Sequence, residues 1–454
     1  MRIKSLMTVL LLFLFLLGGL SSLHPQEGSL SRNFTLENGL RVFLYEKRTF
    51  PLVNISVGVN VGSKDESEEL NGLVHILEHC VLFRGTQTRS GSEIIQQVRA
   101  NGAYLNAHTG HDLSIFEISL PSDKIDFALE NQKDILFRFA IDQKNLDEEA
   151  QIIIEEINQI HDDPMAHATA LVYQRLFPDG FYQRPIYGNN EIIRSMTVEQ
   201  LHKFHRDYYV PSNCVMAVVG DFDLDEIEKK IKSVFGDIRS TSFKEKVVTK
   251  VRSLEKNIEI EERRDVTQAY LVLGFQGPEF GHPDQIAMDV LVEILGRQIR
   301  SHVNNYFPGR DSVVHSVSMG YNALKYGGAV LVYMRLDPEH IMTVKRETIK
   351  FLKKARTQNY SKEDYPSAQA IYVSDYLENT INRIKFNAHR FNEEGLRIAT
   401  SLVHYLVLNE ELPEKSYIEE VSGIDSSALR KVADKYLSSA RHVSVTLFPE
   451  EEKN

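Results

Sequence analysis

The sequence predicts an α+β protein built from two similar halves, and three observations point there. Short runs alternate apolar and polar residues at the two-residue period of strands, with connections that favour antiparallel pairing. Longer stretches between them carry helical spacing. A pattern of the first half also returns in the second: Leu201, Tyr208 and Val215 reappear as Leu429, Tyr436 and Val443, each 228 residues later. Self-similarity at a fixed offset marks repeated architecture.

Phe34, Leu36, Leu40, Val42 and Leu44 fit the inward positions of a hairpin turning at Glu37-Asn38-Gly39. Residues 52–61 alternate again and read as a core strand. A polar loop over 62–69 leads into a helix over 71–83, NGLVHILEHCVLF, with Asn71 as its cap. A second helix covers 92–101 and stops at Gly102. Strands at 103–107 and 112–120 join through Thr109-Gly110, and helices follow at 124–141 and 147–160. Residues 198–209 are helical, 211–213 turn, 214–220 form a strand and 224–235 a helix. The polar, Ser/Lys-rich stretch 239–256 reads as a linker between domains at 30–238 and 257–450. Beyond it, a strand over 269–275 and a helix over 284–295 mirror the strand 53–61 and the helix that follows it.

A length of 454 residues accommodates two domains. The balance of 63 acidic against 52 basic residues, net −11, argues against nucleic-acid binding as the main role. Arg2 and Lys4 precede an apolar run over 7–20 and small residues at Gly18, Gly19, Ser21 and Ser22. That order predicts a signal peptide over 1–24; the run is shorter than the roughly 20 residues a membrane span needs. The expected location is secreted or periplasmic with no stable span after signal removal, and a signal-anchored inner-membrane form is the alternative. Cys80 and Cys214 make no disulfide framework.

Chemistry concentrates in the helix over 71–83. His75 and His79 are four apart, so one helix face presents both imidazoles to a single point. Imidazole pairs at this spacing suit zinc, and Glu78 beside them suits a base acting on a zinc-bound water. The order H-x-x-E-H reverses the common zinc helix. Cys80 points about 100° further round the helix and reads as a buried thiol. A catalytic zinc takes three protein ligands, so a third is needed. The Glu-rich helix at 147–160 offers Glu149 with Glu156 on one face and Glu148 with Glu155 on the next, and spacing does not choose between them. His108 and His111, on a turn, form a weaker candidate pair.

These segments resemble the pitrilysin-type zinc metallopeptidases, the M16 inverzincins, a family that includes insulin-degrading enzyme and the mitochondrial processing peptidase. NGLVHILEHCVLFRGT, NGAYLNAHT, EEAQIIIEE and the run from PIYGNNEII to YYVPSNCVMAVVGD carry the resemblance, which extends over essentially the whole mature chain. It implies two α+β domains facing each other as a clamshell, in the small single-chain branch that generally works as a dimer. It implies a Zn2+ cofactor held by His75, His79 and Glu156, with Glu78 as general base and Glu149 orienting a ligand histidine. Asn106 and Ala107 match an edge strand that pairs with the substrate backbone.

One place departs from the family pattern. Active members use an Arg and a Tyr seven residues apart to hold the substrate carbonyl; here the Tyr position is His315, Pro308 stands seven before it, and Arg310 is out of register. Arg310 and His315 are therefore weak stand-ins for a carbonyl-binding pair. The resemblance then implies an exported zinc endopeptidase acting on peptides or unfolded segments. A homologous partner subunit would supply the missing pair, with a homodimer as the other arrangement. The alternative from another class is a non-catalytic scaffold or assembly subunit, against which the intact metal set argues.

Overall fold

Among the described residues, apolar runs of this chain pair into two sheets, one of six strands and one of five. The computed structural model describes residues 30–178, 180–239, 243, 251–304, 306–307, 313–360, 377–409, 411–412 and 416–450. The segment 1–24, Pro308 and Arg310 lie outside them.

In the first half, β1 (Leu30–Thr35) and β2 (Arg41–Glu46) form a hairpin whose turn places Gly39 at φ +90°, a region that favours glycine. Next come β3 (Leu52–Val59), α1 (Leu73–Phe83), α2 (Gly91–Ala100), and the hairpin of β4 (Tyr104–Thr109) with β5 (Ser114–Pro121). Five helices follow: α3 (Ile125–Phe137), α4 (Gln143–Asp162), α5 (Pro164–Leu176), α6 (Asn190–Ser195) and α7 (Val198–Tyr208). Then come β6 (Cys214–Gly220) and α8 (Leu224–Phe235).

The second half runs β7 (Ile258–Arg264), β8 (Ala269–Gly277), α9 (Gln285–Asn304), β9 (Val314–Leu324), β10 (Gly327–Leu336) and α10 (Ile341–Lys354). It continues with α11 (Leu377–Phe391), α12 (Gly395–Leu408), α13 (Tyr417–Ser422), α14 (Ser426–Tyr436) and β11 (Val443–Pro449).

The repeat expected from the sequence is present. The first sheet is ordered β1-β2-β6-β3-β5-β4 and the second β7-β11-β8-β10-β9, so they match strand for strand once β1 is set aside. Most pairs are antiparallel, and short connections account for β1 with β2, β4 with β5 and β9 with β10. The exceptions are β2 with β6 and β7 with β11, which are parallel. In each case a strand returning through helices enters the middle of the sheet rather than its edge.

The cores cross the halves, which the sequence reading did not anticipate. Helix α5 belongs to the first half but packs on β8 and β11, where Ala168, Val172 and Leu176 join Val272, Leu331 and Val445. Helix α12 belongs to the second half but packs on β3, β5 and β6, where Leu402, Val403 and Val407 join Ile115, Val215 and Ala217. A glycine seats each crossing helix. A Cβ on Gly58 of β3 would lie 2.3 Å from Val403 Cγ1, and one on Gly274 of β8 would lie 2.3 Å from Val172 Cγ1. The sequence pattern leaves 164–176 unassigned, although Ala168, Val172 and Leu176 stand at four-residue spacing. Among the described residues no helix is long and apolar enough to cross a membrane.

Candidate metal centre

Helix α1 is amphipathic around its long axis. Leu73, Val74, Ile76, Leu77, Cys80, Val81 and Leu82 enter the first-half core, leaving the side chains of His75 and His79 at 18% and 14% exposure on the opposite face. Cys80 is a buried free thiol, as expected. Helix α4 packs against α1 through Leu146, Ile153, Ile154 and Ile157. The same packing brings its acidic edge to the two imidazoles.

The sequence left two glutamate pairs open, and the geometry separates them. His75 Nε2 lies 4.0 Å and His79 Nε2 3.7 Å from Glu156 Oε2. One ligand atom from each of these three residues falls within 4.8 Å of the others. Glu149 turns to the far side of His79, with Oε1 2.9 Å from Nδ1, and it accepts from Arg84 Nε. Glu148 takes a second Arg84 nitrogen at 2.8 Å, and Glu155 is exposed. Glu78 is buried, and its Oε2 accepts from the Thr109 hydroxyl at 2.6 Å. Thr109 ends β4, so the edge strand of the first sheet is tied directly to Glu78.

Electrostatics set the two imidazoles apart. Burial, and then the charge of His79, push His75 down to about 3, so this ring is neutral and available as a donor. Burial also opposes charge on His79, but the Glu149 hydrogen bond and the charges of Glu78, Glu156 and Glu149 outweigh it and raise the ring to about 9. Burial, Glu78 and Glu149 raise Glu156 despite the opposing pull of His79. Three carboxylates around two imidazoles favour a cation between them. Two nitrogens and one oxygen are also a donor set that zinc takes in catalytic sites.

Asn106 and Ala107 sit on β4, at the edge of the first sheet; Asn106 Nδ2 lies 3.2 Å from His108 Nε2, which is 3.3 Å from Glu117 Oε2. His111 lies 2.8 Å from the Ser63 hydroxyl and stacks on Tyr173. Neither His108 nor His111 belongs to the metal group. His315 is the second residue of the edge strand β9 of the other sheet, with Nε2 2.8 Å from Asp337 Oδ1. Arg310 falls outside the described residues.

Asn71 does not cap α1. The N-cap is Gly72 at φ +97°, and the Asn71 side chain donates instead to Glu66 and to the Pro185 carbonyl. Glu66 does the capping from the preceding loop. Sequence reasoning missed Glu66, Thr109 and Arg84, because none stands at a motif spacing from the histidines.

The family described as "Insulinase (Peptidase family M16)" matches residues 41–190, and "Peptidase M16 inactive domain" matches 195–372. An uncharacterized zinc protease of Mycobacterium leprae is 30% identical over 308 residues, 67% of this chain and 68% of its own. This chain belongs to peptidase family M16. Another relative, the uncharacterized zinc protease YmxG of Bacillus subtilis, is 27% identical over 306 residues, 66% of this M16 chain and 73% of its own. Among solved structures, a protease from Helicobacter pylori matches with TM-score 0.82 at 22% identity, covering 93% of this chain and all 100% of its own. The periplasmic protease PqqL from Escherichia coli matches with TM-score 0.75 at 18% identity, covering 94% of this chain and 48% of its own. At these identities the structures establish the two-domain fold.

Proposed function

We propose that this M16 chain is an exported zinc-dependent endopeptidase that hydrolyses peptides or unfolded segments. The observation that carries the reading is the convergence of His75, His79 and Glu156 donor atoms from α1 and α4 beside the buried Glu78. The relatives named as zinc proteases agree with it. His75 Nε2, His79 Nε2 and a Glu156 oxygen would hold the ion, and Glu149 would fix the His79 ring through Nδ1. Bound zinc supplies a Lewis acid that polarises a carbonyl and acidifies water. Glu78 takes the proton of the attacking water and returns it to the departing amine. The Thr109 hydroxyl donates to Glu78 at 2.6 Å and would steady it for that transfer.

The edge strand β4, carrying Asn106 and Ala107 and unpaired on its outer side among the described residues, suits an extended peptide added as a further strand. That mode reads main chain and tolerates many sequences. The Arg and Tyr that resemble no pair here would come from a homologous partner chain, with Arg310 and His315 as local substitutes at most. Export rests on the basic start and apolar run of residues 1–24.

The test is metal analysis of the purified chain together with cleavage of an unstructured peptide, with and without chelator, alone and with a homologous partner. Bound zinc and chelator-sensitive cleavage are expected, with turnover rising when the partner is added. Zinc without cleavage in every combination overturns the peptidase reading in favour of an assembly role. High turnover by the isolated chain removes the partner from it.

A further inference from the structure

The two histidines of α1 are held in different ways. His79 is fixed through its own ring, by Glu149 at Nδ1. His75 has no such contact among the described residues, where its Nδ1 is buried without a hydrogen-bond partner. The position of its ring therefore depends on the backbone beneath it. That backbone is the first turn of α1, where helices fray and N–H groups lack internal partners. The helix supplies no cap of its own: Gly72 offers no side chain, and the first turn holds no acidic residue.

Glu66 fills that gap from outside. Its Oε1 accepts from the Val74 N–H at 2.8 Å, and its Oε2 accepts from the Gly72 N–H at 2.9 Å and from Asn71 Nδ2 at 2.8 Å. Val74 is the residue immediately before His75. Glu66 is itself anchored: it is buried, its carbonyl accepts from Arg184 Nη2 at 3.0 Å, and Asn71 is tied to the Pro185 carbonyl at 2.9 Å. The clamp thus joins the loop before α1, the first turn of α1 and residues 184–185.

We propose that Glu66 is the positioning residue for His75, serving through the backbone of α1 the purpose that Glu149 serves for His79 through its ring. The proposal rests on the reading of His75 as a zinc ligand. Glu66 touches neither metal nor substrate in this scheme.

The test measures the zinc Kd of the full chain by competition with a chromophoric chelator, and the visible absorption of the Co2+-loaded protein as a report on ligand geometry. Glu66→Ala is expected to weaken zinc about 10- to 100-fold, the range for losing a ligand's support. Glu66→Gln keeps one oxygen acceptor and is expected to lie between Glu66→Ala and the unmodified chain, with a Co2+ spectrum nearer the latter. Asp163→Ala removes the cap of α5, a bond from the Ala166 N–H at 2.7 Å, and serves as the control for a merely structural loss. It should lower the melting temperature and leave the zinc Kd unchanged. Unchanged zinc binding and an unchanged Co2+ spectrum in either Glu66 variant, with the same fall in melting temperature as the control, overturn the proposal. Glu66→Gln alone decides it if Glu66→Ala does not fold. Absence of zinc binding by the unmodified chain overturns instead the reading of the metal centre itself.

Discussion

In the first half, α1 packs on α4, and the facing edges hold His75, His79, Glu149 and Glu156. In the second half, α9 packs on α11, and there Arg383 Nε meets Glu293 Oε1 at 3.0 Å. The two pairs occupy the same place in the repeat, since α4 precedes the crossing helix α5 and α11 precedes the crossing helix α12. One contact carries a donor set for a cation, and the other carries an ordinary ion pair. Helix packing needs an apolar stripe and is indifferent to the polar residues along its rim. One half can therefore hold chemistry that the other lacks without any change of fold.

Four experiments break or sharpen that comparison. The largest effect is expected for Glu78→Gln, which removes the base and should lower kcat for an unstructured peptide by about 10²- to 10⁴-fold while zinc content stays the same. A small loss would mean that the first half does its chemistry by another route. Next, Glu149→Gln should weaken zinc about 10- to 100-fold by freeing the His79 ring, as read by chelator competition.

The crossing helices come third. Gly58→Ala and Gly274→Ala should each cost about 1–3 kcal/mol by crowding a valine, measured from urea midpoints. Val403→Ala should recover part of the first loss and Val172→Ala part of the second, whereas the mismatched combinations should simply add. Equal recovery by either valine would show that the two seats are not separate. The smallest effect belongs to Glu293→Gln. The Glu293 side chain is 38% exposed, so loss of its pair with Arg383 should cost below about 1 kcal/mol and leave peptide cleavage untouched. A fall in cleavage there would mean that the second helix pair is coupled to the first.

Strand and helix spans were legible because they are local. The hairpin at Gly39 and the strand β3 follow from side-chain periodicity over a few residues, and the recurrence of Leu201, Tyr208 and Val215 follows from one local pattern returning 228 residues later. The helix α5 was overlooked, although its apolar spacing is visible, because nothing nearby in sequence shows which sheet it covers. Helix spacing by itself left the choice among Glu148, Glu149, Glu155 and Glu156 open, and only the family resemblance pointed to Glu156. A helix fixes which of them share a face, but only packing against α1 shows which face meets the histidines.

The sequence by itself determined that two imidazoles share a helix face with a carboxylate beside them, that an acidic helix follows, and that the fold repeats. The first two are consequences of 3.6 residues per turn, which any segment carries with it, and the third of one pattern returning 228 residues later. Only the tertiary structure decided that Thr109 holds Glu78, that Glu66 caps the histidine helix in place of Asn71, and that each half covers a sheet of the other. Such contacts join residues far apart in the chain, and their partners are chosen by the closing of the cores rather than by any local period.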